Sequence, residues 1–203
     1  MKIQVDHSFY NFTDYGTEEQ FLSYYHQLKL IHQLQPKNML NIGVGGRIIE
    51  KLIPDEVKVT GFDYDINLKP EVVGDVNLLP FKDNSFELVT CFQVLEHLPF
   101  DKFDNLLSEL ARVTNNKVII SLPYANHRFT FRFFFPIIND IFIQILIPKL
   151  YIKHKFDGLH YWEIGKKGYG LKKVLQHMQK FFTVENHYTL RDNPYHKFFI
   201  LKK

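Results

Sequence analysis

The sequence predicts an α/β fold in which a mostly parallel sheet carries helices on both faces and ends in an antiparallel hairpin. Three observations carry that reading. Short apolar runs alternate with helical patterns over residues 38–122, and such alternation implies right-handed crossovers between parallel strands. A glycine-rich turn, Gly43-Val44-Gly45-Gly46, follows the first apolar run directly. Near the end, residues 181–190 and 195–201 read as strands separated only by Arg191-Asp192-Asn193-Pro194, and so short a connection makes them antiparallel neighbours.

The elements follow in order. Residues 1–16 are aromatic and irregular, with Phe9, Tyr10, Phe12 and Tyr15. Thr17 reads as a helix N-cap, with Glu18 and Glu19 in the first turn and Gln20 at the capping-box position. Phe21, Leu22, Tyr25, Leu28 and Ile31 continue at helical spacing until Pro36 stops the helix. Residues 38–42 form a buried strand, 47–52 a short helix ended by Pro54, and 57–62 a second strand. Val72-Val73 is a brief third strand, and residues 86–92 are a fourth. Helical periodicity runs over 99–113 through Phe103, Leu106, Leu107 and Leu110, before a fifth strand at 117–122. Residues 166–180 read as a last helix ahead of the hairpin.

The segment 126–158 interrupts the alternation. Phe129, Phe131, Phe133, Phe134 and Phe135 are followed by Ile137, Ile138, Ile141, Phe142 and Ile143. Arg132, Asn139, Asp140 and Gln144 form a narrow polar stripe near helical spacing. The expectation is an apolar helical segment, buried in the core or laid against a partner or a membrane.

With 203 residues the chain reads as one domain, 1–203, with an N-terminal cap segment and helix at 1–36 and a lid-like aromatic insertion at 125–164. Twenty-five Lys and Arg against 22 Asp and Glu give a net charge of +3, too mild to argue for nucleic acid. The single cysteine, Cys91, excludes an internal disulfide and a cysteine-rich metal site and fits a reducing compartment. No signal-peptide run and no membrane-spanning run is present, so a cytoplasmic location is expected. Aromatic residues reach 16%, more than a standard core needs.

Four stretches carry chemistry. Asn41-Ile42-Gly43-Val44-Gly45-Gly46 ends the first strand, where glycines let the backbone approach a ligand and the next helix offers unpaired N–H groups. Asp63 ends the second strand, where a carboxylate accepts both hydroxyls of a ribose. Gly74-Asp75-Val76, followed by Leu79-Pro80-Phe81, offers a carboxylate beside a backbone N–H, the pair that reads an adenine edge. Cys91-Phe92-Gln93-Val94-Leu95-Glu96-His97 follows the fourth strand at the carboxyl edge of the sheet.

Together these stretches resemble the class I S-adenosylmethionine-dependent methyltransferases, closely over residues 37–124. The most specific stretch is 74–98, with Gly-Asp, Leu-Pro-Phe, Asn-Ser-Phe-Glu-Leu-Val and Val-Leu-Glu-His-Leu in order. The resemblance implies a Rossmann-like, doubly wound, seven-stranded sheet whose last strand is antiparallel, and S-adenosylmethionine as cofactor, with S-adenosylhomocysteine as product. It implies that Gly43 and Gly45 lie against the methionine and ribose, that Asp63 holds the ribose hydroxyls, and that Tyr64 stacks near the adenine. It further implies that Asp75 and the Val76 backbone read the adenine edge and that Gln93 sits near the methionine. Tyr15 is a candidate to close over the cofactor. Two positions depart from the family pattern. Asn41 stands where an acidic residue is usual, losing the charge that would face the methionine ammonium. Arg47 stands where a third glycine is usual, and helical geometry is expected of it.

Methyl transfer from a sulfonium needs position, exclusion of water and, for a hydroxyl or amine acceptor, removal of a proton. Three residues are candidates for that last task. His97 follows Glu96 after the fourth strand, with a structural role at a helix start as the competing reading. His160 and Glu163 stand in His160-Tyr161-Trp162-Glu163, a patch similar to one in methyltransferases of sugar and polysaccharide biosynthesis. There a histidine and a carboxylate could deprotonate a hydroxyl while an aromatic packs on a sugar ring. Asp157, His160 and Glu163 are metal-ligand types at undiagnostic spacing, and no metal is assigned to them.

The expected reaction is methylation of a small-molecule acceptor, with a sugar or lipid-linked saccharide hydroxyl favoured; the alternative is a non-catalytic or partner-dependent binding protein on the same fold. Nucleic acid is not expected as a partner, since no Asn-Pro-Pro-Tyr-like tetrapeptide follows the fourth strand. A dehydrogenase is disfavoured because the glycine pattern is not G-x-G-x-x-G. The insertion, with Arg128, Arg132, Lys149, Lys153 and Lys155 around it, permits peripheral membrane contact through 129–152. An aromatic surface could also pair two chains as a homodimer.

Overall fold

The computed structural model describes residues 7–134 and 141–203. The elements run α1 (Phe12–Tyr15), α2 (Glu18–Leu34), β1 (Asn38–Ile42), α3 (Ile48–Leu52), β2 (Lys58–Asp63), β3 (Val72–Val73), β4 (Phe86–Phe92), α4 (Phe103–Val113) and β5 (Thr114–Pro123). They continue with β6 (Asn126–Phe133), β7 (Ile141–Pro148), α5 (Leu171–Met178), β8 (Thr183–Thr189) and β9 (His196–Lys202). Seven strands form one sheet in the order β3-β2-β1-β4-β5-β9-β8, parallel from β3 to β5, with β9 antiparallel to both β5 and β8. This is the doubly wound architecture that the sequence predicts.

Alternation along the strands fills both faces. Leu40, Val89, Cys91, Val118, Ile120 and Phe199 turn to one side, where Phe103, Leu106, Leu107 and Leu110 of α4 and Val174 and Met178 of α5 cover them. Met39, Leu88, Ile119 and Phe198 turn to the other, against Ile31 of α2 and Ile49 of α3. Sheets buried on both faces read as continuous apolar runs, as residues 86–92 and 117–122 do. Chain order reverses between β1 and β4, which are hydrogen-bonded neighbours, so a crevice opens at their carboxyl ends. Ile42 is level with Phe62 on one side and Cys91 on the other, which brings the residues just past all three strands together.

Helix α2 begins as the sequence predicts, with the Thr17 hydroxyl accepting from the Gln20 N–H at 3.2 Å. Helix α5 is shorter than expected. Gly165 and Gly168 hold φ values of +89° and +88°, which keeps 165–170 irregular, and the helix starts only after Gly170.

The largest correction concerns the aromatic insertion. Its described part is not helical but a two-stranded antiparallel hairpin, β6–β7, outside the main sheet. Phe129 pairs with Ile145, Phe131 with Ile143 and Phe133 with Ile141. Paired residues share a face, so these six and Ile147 form one apolar surface, each 38–51% exposed. The other face meets the body: Leu146 packs against the core, Gln144 donates to the Arg191 carbonyl at 2.8 Å, and the Arg191 guanidinium lies 3.6 Å from the Phe142 ring centre. Alternation in Arg128-Phe129-Thr130-Phe131-Arg132-Phe133 is the period of a strand, and it overrides the coarser helical spacing of the polar residues. Phe135, Ile137, Ile138, Asn139 and Asp140 lie outside the described residues.

Candidate functional site

A cavity at the switch point is lined by Asn41, Gly43, Gly45, Asp63, Tyr64, Val76, Gln93 and His97 among the predicted site residues. The glycine loop forms its floor. Gly43 has φ +81°, and a Cβ there would lie 2.3 Å from Val94 Cγ2, so only glycine fits. Gly45 has φ +48°, and a Cβ there would lie 3.2 Å from the Tyr10 ring. Tyr10, from the irregular N-terminal segment, thus covers the loop. Its hydroxyl pKa is pushed up to about 12 by burial and by Asp63. Nothing in the sequence separates Tyr10 from its aromatic neighbours, and the side chain of Tyr15 lies outside the described residues.

Asp63 is pinned by the loop that it faces. Its Oδ2 accepts from the Val44 N–H and its Oδ1 from the Asp65 N–H, each at 3.0 Å, while burial raises its pKa. Asp75 stands between two cavity-lining residues, Gly74 and Val76, but its Oδ1 accepts from the backbone and side-chain nitrogens of Asn77 and shapes the next turn. Gln93 holds a left-handed φ of +54°, and its backbone N–H donates to the Ser121 carbonyl at 3.0 Å. Its side-chain amide accepts from the Leu122 N–H and donates to Glu96 Oε1 at 3.3 Å.

Both departures from the family pattern have local accounts. Asn41 is buried, its Nδ2 donating to Glu50 Oε1 at 2.8 Å and its Oδ1 accepting from the Thr90 hydroxyl at 2.8 Å. An aspartate at 41 would press two carboxylates together; asparagine instead donates to Glu50 of α3. Burial raises the Glu50 pKa. Arg47 is not helical, as expected from the sequence, but left-handed at φ +58°, the conformation a glycine would take. Its guanidinium offsets that strain by bonding the Lys69 carbonyl and Glu71 Oε1, the latter at 2.5 Å, and Glu71 Oε2 in turn accepts from Gly61 at 2.7 Å.

His97 stands on the cavity wall. Its Nδ1–H donates to the Leu159 carbonyl at 3.1 Å, and the Gln93 backbone is a further hydrogen-bond partner of the ring. Burial and the neighbouring His160 lower its pKa to about 4, so it is neutral at pH 7. His160 and Glu163 do not line this cavity; they lie behind His97, with the two imidazole centres 5.2 Å apart. His160 Nδ1 lies 3.2 Å from Glu163 Oε1, which also accepts from the Tyr195 hydroxyl at 3.0 Å, while Lys166 Nζ is 3.0 Å from Glu163 Oε2. Burial opposes charge on Glu163, but these three partners outweigh it and hold its pKa near about 2. Burial likewise opposes charge on His160, yet Glu163 and Glu96 raise its pKa.

Glu96 is wholly buried beside this cluster, its Oε2 has no hydrogen-bond partner, and burial pushes its pKa to about 7. Its adjacency to His97 was the sequence signal; Tyr195, 32 residues beyond Glu163, had none. Trp162 cannot pack on a ligand, being fully buried against Phe100 and Phe103 with its indole N–H on the Leu98 carbonyl at 3.1 Å. Tyr161, 39% exposed, is the ring of that patch open to solvent.

Among the described residues, two groups offer ligand atoms within 4.8 Å of one another: Glu96 with His97 and His160, and Asp157 with His160 and Glu163. In the second, Asp157 accepts from the Leu159 and His160 backbone and Lys166 already neutralises Glu163. A second depression on the far side of Glu163 and Tyr195 is lined by Tyr124, Asn126, Arg128, Lys149, Lys166 and Asn193. No helix among the described residues is long and apolar enough to cross a membrane.

Comparison with known proteins agrees with this geometry. Residues 40–122 match the model of the methyltransferase domain family. Norajmaline N-methyltransferase of Rauvolfia serpentina is 35% identical over 111 residues, covering 45% of this chain and 37% of that enzyme. The chain therefore matches little more than a third of that relative's length. A solved protein of Pyrococcus horikoshii superposes with a TM-score of 0.61 at 15% identity, over 98% of this chain and 99% of that one. The 1,6-didemethyltoxoflavin-N1-methyltransferase of Burkholderia thailandensis, solved with bound 1,6-didemethyltoxoflavin and S-adenosylhomocysteine, superposes with a TM-score of 0.57 at 13% identity, over 90% of this chain and 85% of that one.

Proposed function

We propose that this chain, which has the class I methyltransferase fold and whose residues 40–122 match the methyltransferase domain, transfers a methyl group from S-adenosylmethionine to a hydroxyl of a small molecule, with a sugar as the favoured acceptor. The observation that carries the proposal is the cavity itself: a glycine cradle closed to any Cβ, a pinned carboxylate at the end of β2, and a neutral imidazole on the opposite wall. When bound, S-adenosylmethionine supplies a sulfonium with an electrophilic methyl carbon.

In this reading Gly43, Gly45 and Asp63 hold the ribose and methionine, Tyr64 and Val76 flank the adenine with Asp75 next to them, and Gln93 borders the methionine. His97 takes the acceptor proton as the acceptor oxygen forms its bond to the methyl carbon. The S–CH3 electron pair returns to sulfur, leaving a neutral thioether. His160 and Glu163 act behind His97, fixing where charge sits. Lys166 and Tyr195 keep Glu163 ionised, and so keep His160 its partner rather than a competing base. The alternative is a non-catalytic or partner-dependent binding protein on the same fold; the local partners of Asn41 and the left-handed Arg47 favour the catalytic reading, and turnover separates the two.

Calorimetric titration tests the proposal. S-adenosylhomocysteine should bind with a micromolar Kd, and Asp63→Ala should weaken it by about ten-fold or more, the value of a charge-assisted hydrogen bond. A panel of sugars, amines and other hydroxyl compounds with labelled S-adenosylmethionine then identifies the acceptor. Absence of binding by folded protein would overturn the assignment.

A further inference from the structure

We propose that the β6–β7 hairpin docks this protein onto an anionic lipid bilayer through its outer face. The proposal stands apart from the methyl-transfer reading. Phe129, Phe131 and Phe133 pair across the hairpin with Ile145, Ile143 and Ile141, and all six side chains are on the face turned from the body. A half-exposed phenylalanine presents on the order of 100 Å² of apolar surface, so with Ile147 the face reaches roughly 600 Å², at the upper end of what soluble monomers leave bare. Each of these side chains faces a cross-strand partner on the same face. Two isolated strands in water are marginal, and such a face gains from a second apolar phase.

Charge selects the occupant. Residues 126–156 hold five of the chain's Lys and Arg and a single acid, Asp140, for a net charge of +4. The whole chain carries +3, so everything else sums to −1. The basic charge thus belongs to the segment that carries the apolar face: Arg128 and Arg132 alternate to its other side, where Arg128 donates to the Asp192 carbonyl at 3.3 Å, and Lys153 and Lys155 are exposed beyond β7. Lys153 and Lys155, both exposed, lie five and seven residues beyond β7, and Tyr151, 71% exposed, stacks on His127, which pairs with Ile147 of the same face. An apolar face followed in the chain by an exposed tyrosine and exposed lysines fits acyl chains, the bilayer interface and anionic headgroups in turn. A second copy fits less well. Face-to-face pairing would oppose one +4 element with another, over less than the ~800 Å² per partner of a standard interface.

Flotation with vesicles tests the proposal, using phosphatidylcholine alone and phosphatidylcholine mixed with phosphatidylglycerol. The intact chain should float with the mixed vesicles and much less with the neutral ones. Phe131→Asp/Ile143→Asp should abolish flotation with both. Lys153→Gln/Lys155→Gln should weaken it on mixed vesicles alone, by about ten-fold or more. Circular dichroism and thermal melting of each variant should match the parent, since these side chains contact no part of the core. The proposal is overturned if the parent stays unbound to mixed vesicles. It is equally overturned if sedimentation shows a dimer that Phe131→Asp/Ile143→Asp splits while lipid binding is absent, which would assign the face to a second copy.

Discussion

The carboxyl edge of the main sheet and the β6–β7 hairpin use the same raw material, apolar strands with a few charges, to opposite ends. At the sheet edge the central strands β1, β4 and β5 are largely buried, and most polar groups have named partners: Asp63 with Val44 and Asp65, Asn41 with Glu50 and Thr90, Glu163 with His160, Lys166 and Tyr195. On the hairpin one face meets the body, and seven large apolar side chains on the other are each 38–51% exposed. Apolar content therefore says that a segment seeks burial, while its partners decide whether the chain itself provides it. Electrostatics follows the same division. Perturbed pKa values cluster at Glu96, His97, His160, Glu163 and Tyr195, where desolvation is strong.

The sharpest way to break the comparison is at the buried site. His97→Ala should lower kcat by about 10²- to 10⁴-fold, the usual range for a lost general base, with cofactor affinity changed far less. Single-turnover rates measured against pH separate this from a structural role. The parent rate should fall on the acid side as His97 is protonated, and that limb should vanish in the variant. An unchanged rate would assign the proton to another group.

Glu96 gives the next largest effect. Its folded pKa of about 7 lies above the usual carboxylate value, so its contribution to stability is fully present below about pH 4 and is lost as pH rises through 7. Glu96→Gln removes that loss. The variant should match the parent near pH 4 and exceed it by about 2–3 kcal/mol at pH 8.5, read from denaturant midpoints. Glu163 has the opposite sign. Its pKa is depressed to about 2, so its contribution is present above the ordinary glutamate value and fades as pH falls from about 5 toward 2. A parent stability curve flat across both windows would refute the two assignments.

How much of this was legible in the sequence depends on the range of the interaction. Strand and helix positions from 38 to 123 follow from alternation and helical spacing, local properties that tertiary packing reinforced. Thr17 and the glycine turn were equally local. The hairpin's period of two was also written in residues 128–133, but reading across the segment for a polar stripe averaged it away. The site divides similarly. Residues just past a strand's carboxyl end were placed by topology, whereas Tyr10 over the glycine loop and Tyr195 on Glu163 meet their partners across long stretches of chain and depend on packing angles no spacing encodes. Arg47 shows the limit from the other side: its left-handed backbone is a property of the loop, which its side chain then secures through Glu71.

The smallest effect distinguishes the two regions most cleanly. Phe103 and Phe131 are both phenylalanines within regular elements, one wholly buried under the sheet and one half-exposed on the hairpin. Phe103→Ala should cost about 3–5 kcal/mol, because it removes the ring packed against Trp162 and Phe100 and leaves a cavity in a close-packed core. Phe131→Ser should change stability by no more than about 0.5 kcal/mol, since the outer face contributes nothing that the body uses. Urea midpoints for both variants decide the matter. Equal costs would mean that the hairpin's outer face is packed in solution, which requires a partner already present in the purified protein. A large difference leaves the face energetically idle for folding, so that its run of phenylalanine and isoleucine has to be explained by what it meets outside the chain.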